Sequence, residues 1–289
     1  MVLSRSSIIF RNLAAAAAAV AALSACSPLK ALNAVTPNGS YKLTEDVAYG
    51  PDERHRLDVY RPTRAGAPKR VVVFLYGGSW KRGDRSSYRF VGEALSAEGY
   101  VAVLPDYRTY PAVRFPGFNE DAAAAVRWVH DNIANHGGDP NQIYLMGHSA
   151  GAHIAAMLTL DERYLGQAGV PAGTVRGMIG LAGPYSFDPL KYKSVRAVFE
   201  GIDNSDEARP IAFVDGSEPA MLLLHGTEDG TVYPRNSEQL SKRVAEAGGT
   251  ARYVGYPDVG HIGIMLALSR PFRGRATVLE DTVAFIEAQ

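Results

Sequence analysis

The sequence is poor in three features that would each point to a class of protein. It has one cysteine, Cys26, in 289 residues, which excludes an internal disulfide and a metal site built from cysteines. Lysine plus arginine equals aspartate plus glutamate, at 30 each, so no overall basic field attracts nucleic acid, and we expect no nucleic-acid partner. The apolar run over 13–23 is too short to span a membrane, which needs ~20 residues.

That apolar run has the position and flanks of a signal peptide. Two arginines precede it, and it ends in the tetrapeptide Leu-Ser-Ala-Cys at Cys26, which resembles the lipobox of bacterial lipoproteins. In a lipobox the cysteine is acylated and the chain is cut just before it. An ordinary signal peptide with a small residue near its cleavage site is the alternative. We therefore predict a lipoprotein signal peptide over 1–25 and a lipid anchor on Cys26.

A lipid anchor at this position implies an exported protein on the periplasmic side of a bacterial membrane. Ser27 is not the aspartate that in many lipoproteins signals retention in the inner membrane, so the outer membrane is favoured. Residues 26–42 contain prolines and a glycine but no hydrophobic period, and they are predicted to be a tether. The length that follows, 43–289, is typical of one large α/β domain.

Continuous apolar runs recur along this domain. They indicate parallel strands covered on both faces, and they begin at Val71, Tyr100, Ile143, Met178 and Met221. Helical stretches separate them, and alternating polarity near 56–60 predicts an antiparallel hairpin at the sheet edge. The fold class is therefore α/β, a mostly parallel central sheet flanked by helices with an antiparallel N-terminal edge.

The alternation of strand and helix lapses over about 184–218. An insertion at the carboxyl ends of parallel strands would overhang the crevice in which ligands bind. We interpret it as a short lid, with an irregular crossover that never contacts substrate as the alternative.

One stretch combines a strand, a sharp turn and a helix with a serine at the turn. The sequence Gly-His-Ser-Ala-Gly occupies 147–151 after an apolar run and before a helical one. This is the pattern of a nucleophile elbow, in which crowding demands glycines at both ends. The turn exposes the Ser149 hydroxyl and leaves the Ala150 N–H unpaired at a helix N-terminus. Because such a motif also arises by chance in a glycine-rich chain, its partners decide the interpretation.

A serine hydroxyl needs a base that is itself oriented by a carboxylate. His261 lies in a loop after the last strand, and Asp229 lies in the loop after the preceding one. The order Ser149, Asp229, His261 is that of α/β-hydrolases. Glu228 and Asp258 remain alternatives for the acid, although Asp258 is so close to His261 that it favours a role in shaping that loop.

The loop after the first long apolar run reads Tyr-Gly-Gly-Ser-Trp over 76–80. Together with Pro-Asp-Tyr-Arg at 105–108, the motif at 147–151, His-Gly at 225–226 and Gly-His at 260–261, it makes the chain resemble the α/β-hydrolase superfamily. The resemblance is to carboxylesterases and lipases with a His-Gly-Gly-Gly-Trp loop, which include prenylcysteine-methylesterase-like, kynurenine-formamidase-like, feruloyl-esterase-like and acetyl-xylan-esterase-like members. It covers most of 43–288.

This resemblance implies an α/β-hydrolase catalytic domain over 43–289 with a Ser149, Asp229 and His261 triad. It also implies oxyanion donors at the backbone N–H groups of Gly78, Ser79 and Ala150. Two departures matter: Tyr76 stands where the family has histidine, and Ser79 stands where it has glycine. The hydrogen bonds that hold this loop must therefore differ.

The expected activity is that of a serine carboxylic-ester hydrolase acting through an acyl-enzyme on small or medium acyl esters. No cofactor and no metal are called for. A formamidase-like amidase or peptidase would use the same triad, and a non-catalytic lipid-anchored binding protein is a remote alternative. Trp80 and Tyr185 are candidate substrate-binding residues, with packing as the alternative for each.

Overall fold

The computed structural model describes residues 28–64 and 66–289. The predicted signal peptide and Cys26 lie outside this range, so the lipid anchor stays a prediction. None of the described helices is both long enough and apolar enough to cross a membrane.

The described chain is built on one sheet. Its strands are β1 (Tyr41–Ala48), β2 (Arg56–Pro62), β3 (Lys69–Leu75), β4 (Val101–Pro105), β5 (Gly138–His148), β6 (Val175–Leu181), β7 (Met221–Gly226) and β8 (Ala251–Tyr256). Their order across the sheet is β1-β2-β4-β3-β5-β6-β7-β8. The β1–β2 and β2–β4 pairs are antiparallel and the other neighbours are parallel. The predicted mostly parallel sheet with an antiparallel N-terminal edge is confirmed.

Helices flank this sheet. They are α1 (Pro28–Ala34), α2 (Arg89–Ala97), α3 (Gly117–Asn132), α4 (Ala150–Leu160), α5 (Glu162–Gln167), α6 (Arg235–Glu246), α7 (His261–Leu266) and α8 (Val278–Glu287). The apolar runs of β3 and β7 are fully or almost fully buried from Val71 to Leu75 and from Met221 to Leu224. Each such side chain contributes about 1.5–3 kcal/mol of transfer free energy, so the inner strands form a rigid base for the loops at their carboxyl ends.

The segment 26–42 differs from the free tether that its composition indicates. Its residues Pro28–Ala34 form α1, in which Leu32 is buried and joins the hydrophobic core. The Asn33 side-chain amide also donates to Ser86 O at 2.6 Å. A seven-residue helix is too short to show a clear hydrophobic period, which is why the sequence pattern does not reveal it.

The insertion over about 184–218 consists of loops and short 3₁₀ turns at Arg196–Val198, Ser205–Ala208 and Pro210–Phe213. It follows β6 and precedes β7, so it lies over the carboxyl end of the sheet next to Ser149. Several of its side chains, among them Phe187 and Val195, line a cavity that Ser149 also lines. The segment therefore reaches the candidate site, and its opening and closing as a lid stays a prediction.

Candidate active site

Ser149 occupies the sharp turn between β5 and α4. Its φ and ψ angles are 55° and −121°. Residues other than glycine rarely adopt this backbone conformation. A Cβ atom at residue 147 would overlap the carbonyl of Gly151, and one at residue 151 would overlap the carbonyl oxygen of Leu75. The crowding expected of a nucleophile elbow is confirmed, and it sets the position of Ser149 by direct contact between main chains.

The structure brings Ser149, His261 and Asp229 into one hydrogen-bonded chain. His261 Nε2 lies 2.9 Å from Ser149 Oγ, and His261 Nδ1 lies 2.7 Å from Asp229 Oδ2. Because a carboxylate only accepts, Nδ1 carries the proton in this arrangement and Nε2 is free to accept from the serine hydroxyl. The three groups thus have the geometry of a nucleophile, a base and an orienting acid.

The Asp229 carboxylate is buried, and it accepts several hydrogen bonds from protein donors. Its Oδ1 atom accepts from the N–H groups of Thr231 and Val232, each at 2.9 Å. Burial alone would raise the pKa of Asp229, but the hydrogen bonds from His225, His261 and the Val232 N–H lower it below its usual value. The carboxylate therefore stays ionised beside His261.

Two further histidines hold the triad, and the sequence analysis assigns neither a role. His225 ends β7, with Nε2 2.8 Å from Val232 O and 3.2 Å from Asp229 Oδ2. Its Nδ1 lies 2.7 Å from Ser237 Oγ, so the serine donates there while Nε2–H points towards the acid loop. The position of His225 four residues before Asp229 is the signal that could have suggested this contact.

His148 is the other supporting histidine, and it stands beside Ser149 in the motif. Its Nε2–H donates to the backbone carbonyl of His261 at 3.0 Å. Burial, reinforced by the charge of His261, lowers the pKa of His148 to about 3. His148 is therefore a neutral donor at physiological pH, and it fixes the main chain that carries His261.

The candidate oxyanion loop has an unusual backbone. Gly78, Ser79 and Trp80 have positive φ angles of 136°, 56° and 58°, and for a tryptophan this conformation is strained. Among the described residues, no backbone or side-chain acceptor receives the N–H of Ser79 or of Ala150. Both residues line the cavity beside Ser149. Gly78 precedes them and does not line it, so the structure favours Ser79 and Ala150 as the donor pair.

A buried network holds this loop where the family's histidine is missing. The Tyr76 hydroxyl donates to Asp106 Oδ1 at 2.8 Å and accepts from Arg54 Nη2 at 2.8 Å. The same Arg54 nitrogen lies 2.8 Å from Gly83 O, and Arg85 donates to Asp106 through its backbone N–H and its guanidinium. Tyr76, at the start of the loop, is therefore linked to Gly83 through Arg54 and to Arg85 through Asp106.

Loss of the Tyr76 hydroxyl should loosen this loop. We expect Tyr76→Phe to lower kcat by about tenfold to a hundredfold with little change in KM, because a small displacement of the oxyanion donors weakens transition-state binding most. It should also lower the free energy of unfolding by about 1–3 kcal/mol, since Asp106 loses a buried donor. Steady-state kinetics and denaturant unfolding measure the two effects.

The neighbouring ring provides a matched control. Tyr88 is buried and stacks on Tyr76 with ring centroids 5.6 Å apart, and its hydroxyl makes no hydrogen bond to another described residue. Tyr88→Phe should therefore leave kcat within about twofold, since it removes no hydrogen bond. An equal loss of kcat in both variants would contradict the role assigned to Tyr76.

The cavity next to Ser149 has a volume of about 150 Å³. It is lined by residues of the oxyanion loop, the elbow, the insertion and the acid loop, namely Ser79, Trp80, Ser149, Ala150, Pro184, Phe187, Tyr192, Ser194, Val195, Thr231, Val232, Tyr233 and Asn236. Trp80 is thus placed where the sequence analysis expects a substrate-binding residue.

Tyr185, the second candidate for substrate binding, is not brought to this cavity. It is fully buried, and its ring packs where side chains on Gly180 and Gly183 would otherwise stand. The chain turns at Ala182, which has a φ of 51°, and this turn directs Tyr185 back onto β6. Its place in the described structure is in the core, so the substrate-binding prediction for Tyr185 is corrected.

The two alternative acids lie apart from the base. Glu228 is exposed, and Asp258 is exposed in a turn with a φ of 58° just before His261. Neither forms an ion pair with His261 within the described residues, whereas Asp229 does. In the same part of the chain, no group of three or more His, Cys, Asp or Glu side chains is arranged to hold a metal ion.

Comparison with known proteins places the chain among esterases. The model of the BD-FAE family matches residues 57–244. The chain is 31% identical over 274 residues to the probable isoprenylcysteine alpha-carbonyl methylesterase ICME of Oryza sativa subsp. japonica, covering 86% of this chain and 65% of that protein. It is 32% identical over 240 residues to esterase LipC of Mycobacterium tuberculosis, covering 74% and 58%. The chain thus spans less than two thirds of the length of these relatives.

Solved structures resemble the chain at the level of the fold. Esterase B from Lactobacillus rhamnosis matches with a TM-score of 0.78 and 20% identity over 99% of this chain and 96% of that one. A truncated carbohydrate esterase from gut microbiota matches with a TM-score of 0.74 and 21% identity, covering 88% and 98%. These matches and the sheet order identify the α/β-hydrolase fold.

Proposed function

The chain belongs to the BD-FAE family, and we propose that it is a serine carboxylic-ester hydrolase that acts through a Ser149, His261 and Asp229 triad. The observation that carries the proposal is the unbroken chain of hydrogen bonds from Asp229 through His261 to Ser149, at 2.7 and 2.9 Å. Ser149 lines a cavity together with Ser79 and Ala150, whose N–H groups have no acceptor among the described residues. The esterase names of relatives such as LipC support the same reaction.

The first half of the reaction forms an acyl-enzyme. Nε2 of His261 takes the proton from the Ser149 hydroxyl as Oγ attacks the ester carbonyl carbon. Asp229 holds the resulting imidazolium by the hydrogen bond at Nδ1. When the tetrahedral intermediate collapses, His261 returns the proton to the leaving alkoxide oxygen, and the alcohol departs.

The second half repeats these steps with water. His261 removes a proton from water, the hydroxide adds to the acyl carbon, and Ser149 Oγ leaves with the proton that His261 returns. In both halves the negative oxygen faces the N–H groups of Ser79 and Ala150, and Ala150 stands at the N-terminus of α4, where the helix dipole favours negative charge. Losing one such donor costs about 10²-fold or more in turnover.

Labelling of the purified protein tests this proposal. A fluorophosphonate probe should attach to Ser149, as located by mass spectrometry of the digested protein, and p-nitrophenyl acetate should be hydrolysed. The matching anilide, p-nitroacetanilide, should be a much poorer substrate, since the leaving group is less stable. A folded sample that takes no label and cleaves no ester would refute the proposal, and faster cleavage of the anilide would indicate an amidase instead.

A further inference from the structure

The cavity beside Ser149 receives one of the two halves of an ester, and the position of the base decides which. His261 protonates the leaving oxygen in the proposed reaction, so the alcohol half must lie against His261. Among the described residues, those lining the cavity do not include His261. Ile262, next to the base, is 55% exposed, which leaves the alcohol half on the open side. The acyl half therefore enters the cavity.

The size of the cavity limits this acyl half. Its volume of about 150 Å³ is small beside the ~300–1,000 Å³ of an ordinary ligand pocket, so it receives a small acyl group. An acetyl or butyryl group fits into such a space. An octanoyl group exceeds it and must either displace the wall or fold back into solvent.

An aromatic wall bounds the cavity on the side of the insertion. Trp80 is 3% exposed and is held by the rings of Phe199 at 4.9 Å and His153 at 5.0 Å between centroids. Phe187 stacks on Trp80 at 5.8 Å with an interplanar angle of 8°. Phe187 also lies 5.9 Å from the ring of Tyr192 and 6.1 Å from those of His153 and Phe199, measured between centroids.

The two stacked rings differ in how firmly they are held. Trp80 belongs to the strained oxyanion loop and is packed against the core, so it cannot be removed without disturbing the catalytic machinery. Phe187 is half-buried and comes from the irregular insertion. Because Phe187 lines the cavity, removing its ring would enlarge the space available beside Ser149.

We propose, on the basis of the ester-hydrolase function proposed above, that the substrates are esters of short acyl groups and that Phe187 sets the upper limit of acyl length. Phe187 is a specificity-determining residue in this arrangement. It closes the cavity that the sheet and the oxyanion loop leave open, and it takes no part in proton transfer.

The test is a comparison of kcat/KM for p-nitrophenyl acetate, butyrate and octanoate, each below its micellar concentration. The wild type should prefer butyrate over octanoate by about tenfold or more. Phe187→Ala should raise the octanoate-to-butyrate ratio by about tenfold or more, because the longer chain gains buried apolar contact. Phe187→Leu should raise the octanoate-to-butyrate ratio by a smaller factor. If the alanine variant fails to fold, the leucine variant is measured in its place.

Phe213→Ala is the matched control. Phe213 lies in the same insertion and is partly buried beneath Arg163, but it does not line the cavity. Its substitution should leave the octanoate-to-butyrate ratio unchanged. A wild type that cleaves octanoate as well as butyrate, or a ratio that Phe187→Ala and Phe187→Leu do not change, would overturn the inference. Failure to cleave any ester would overturn the ester-hydrolase function itself and the inference with it.

Discussion

Ser149→Ala is expected to lower kcat for p-nitrophenyl acetate by about 10⁴-fold or more and to abolish fluorophosphonate labelling. Alanine removes the hydroxyl oxygen that lies 2.9 Å from His261 Nε2. The β-carbon of alanine takes the place of the serine β-carbon, so the backbone at this strained turn and the fold should be retained. Circular dichroism and thermal unfolding verify the fold, and steady-state kinetics measure the loss.

A distant serine gives the control for this variant. Ser217 is exposed and lies just before β7, at the opposite end of the strand from Asp229. Ser217→Ala should retain turnover and labelling within about twofold. Residual turnover above one hundredth of the wild type in Ser149→Ala would mean that another group attacks the ester, and it would refute the assigned nucleophile.

Asp229→Asn is expected to lower kcat by about 10⁴-fold while leaving the fold intact. The asparagine oxygen can still accept from the N–H groups of Thr231 and Val232. The amide nitrogen would then face His261 Nδ1, and because it donates, it favours the tautomer whose proton sits on Nε2. That tautomer cannot accept the proton of Ser149.

Asp258→Asn separates the role of Asp229 from a general effect of charge near the base. Asp258 precedes His261 by three residues, and its positive φ angle is one that asparagine also tolerates. We expect kcat to stay within about threefold, as for other surface substitutions. If Asp258→Asn were as inactive as Asp229→Asn, the acid assigned from the hydrogen bonds would be wrong.

The sequence predicts the sheet and the three proposed catalytic residues because local signals carry both. The glycines around Ser149 are demanded by the crowding of the turn itself. Asp229 follows an uninterrupted apolar run and His261 follows the next strand, and both strands end at one edge of the sheet. Four of the longer helices, α2, α3, α4 and α6, are predicted as helical stretches between the strands, whereas α8 (Val278–Glu287) is not. Short helices such as α1 and α7 show no clear hydrophobic period and are missed.

The lining of the site depends on side-chain directions, which the sequence does not encode locally. Tyr185 and Phe187 are two residues apart in one loop, yet the turn at Ala182 sends the first into the core and leaves the second at the cavity. The role of Tyr76 also depends on distant residues, because Arg54 and Asp106 reach it from two other loops. His148 contacts the backbone of His261, 113 residues away in the chain, through geometry that no local pattern predicts.

The cavity beside Ser149 draws its walls from two parts of the fold. Ser149 and Asp229 follow buried strands, where most substitutions disturb the core, and His261 follows the neighbouring edge strand. Phe187 and Val195 come from an irregular segment that packs on top. If Phe187 limits acyl length as proposed, mutations in the overlying segment should alter which esters are accepted while Ser149, Asp229 and His261 stay in place. A gene encoding this fold could acquire new substrates by exchanging that segment alone, and laboratory evolution of acyl preference should begin there.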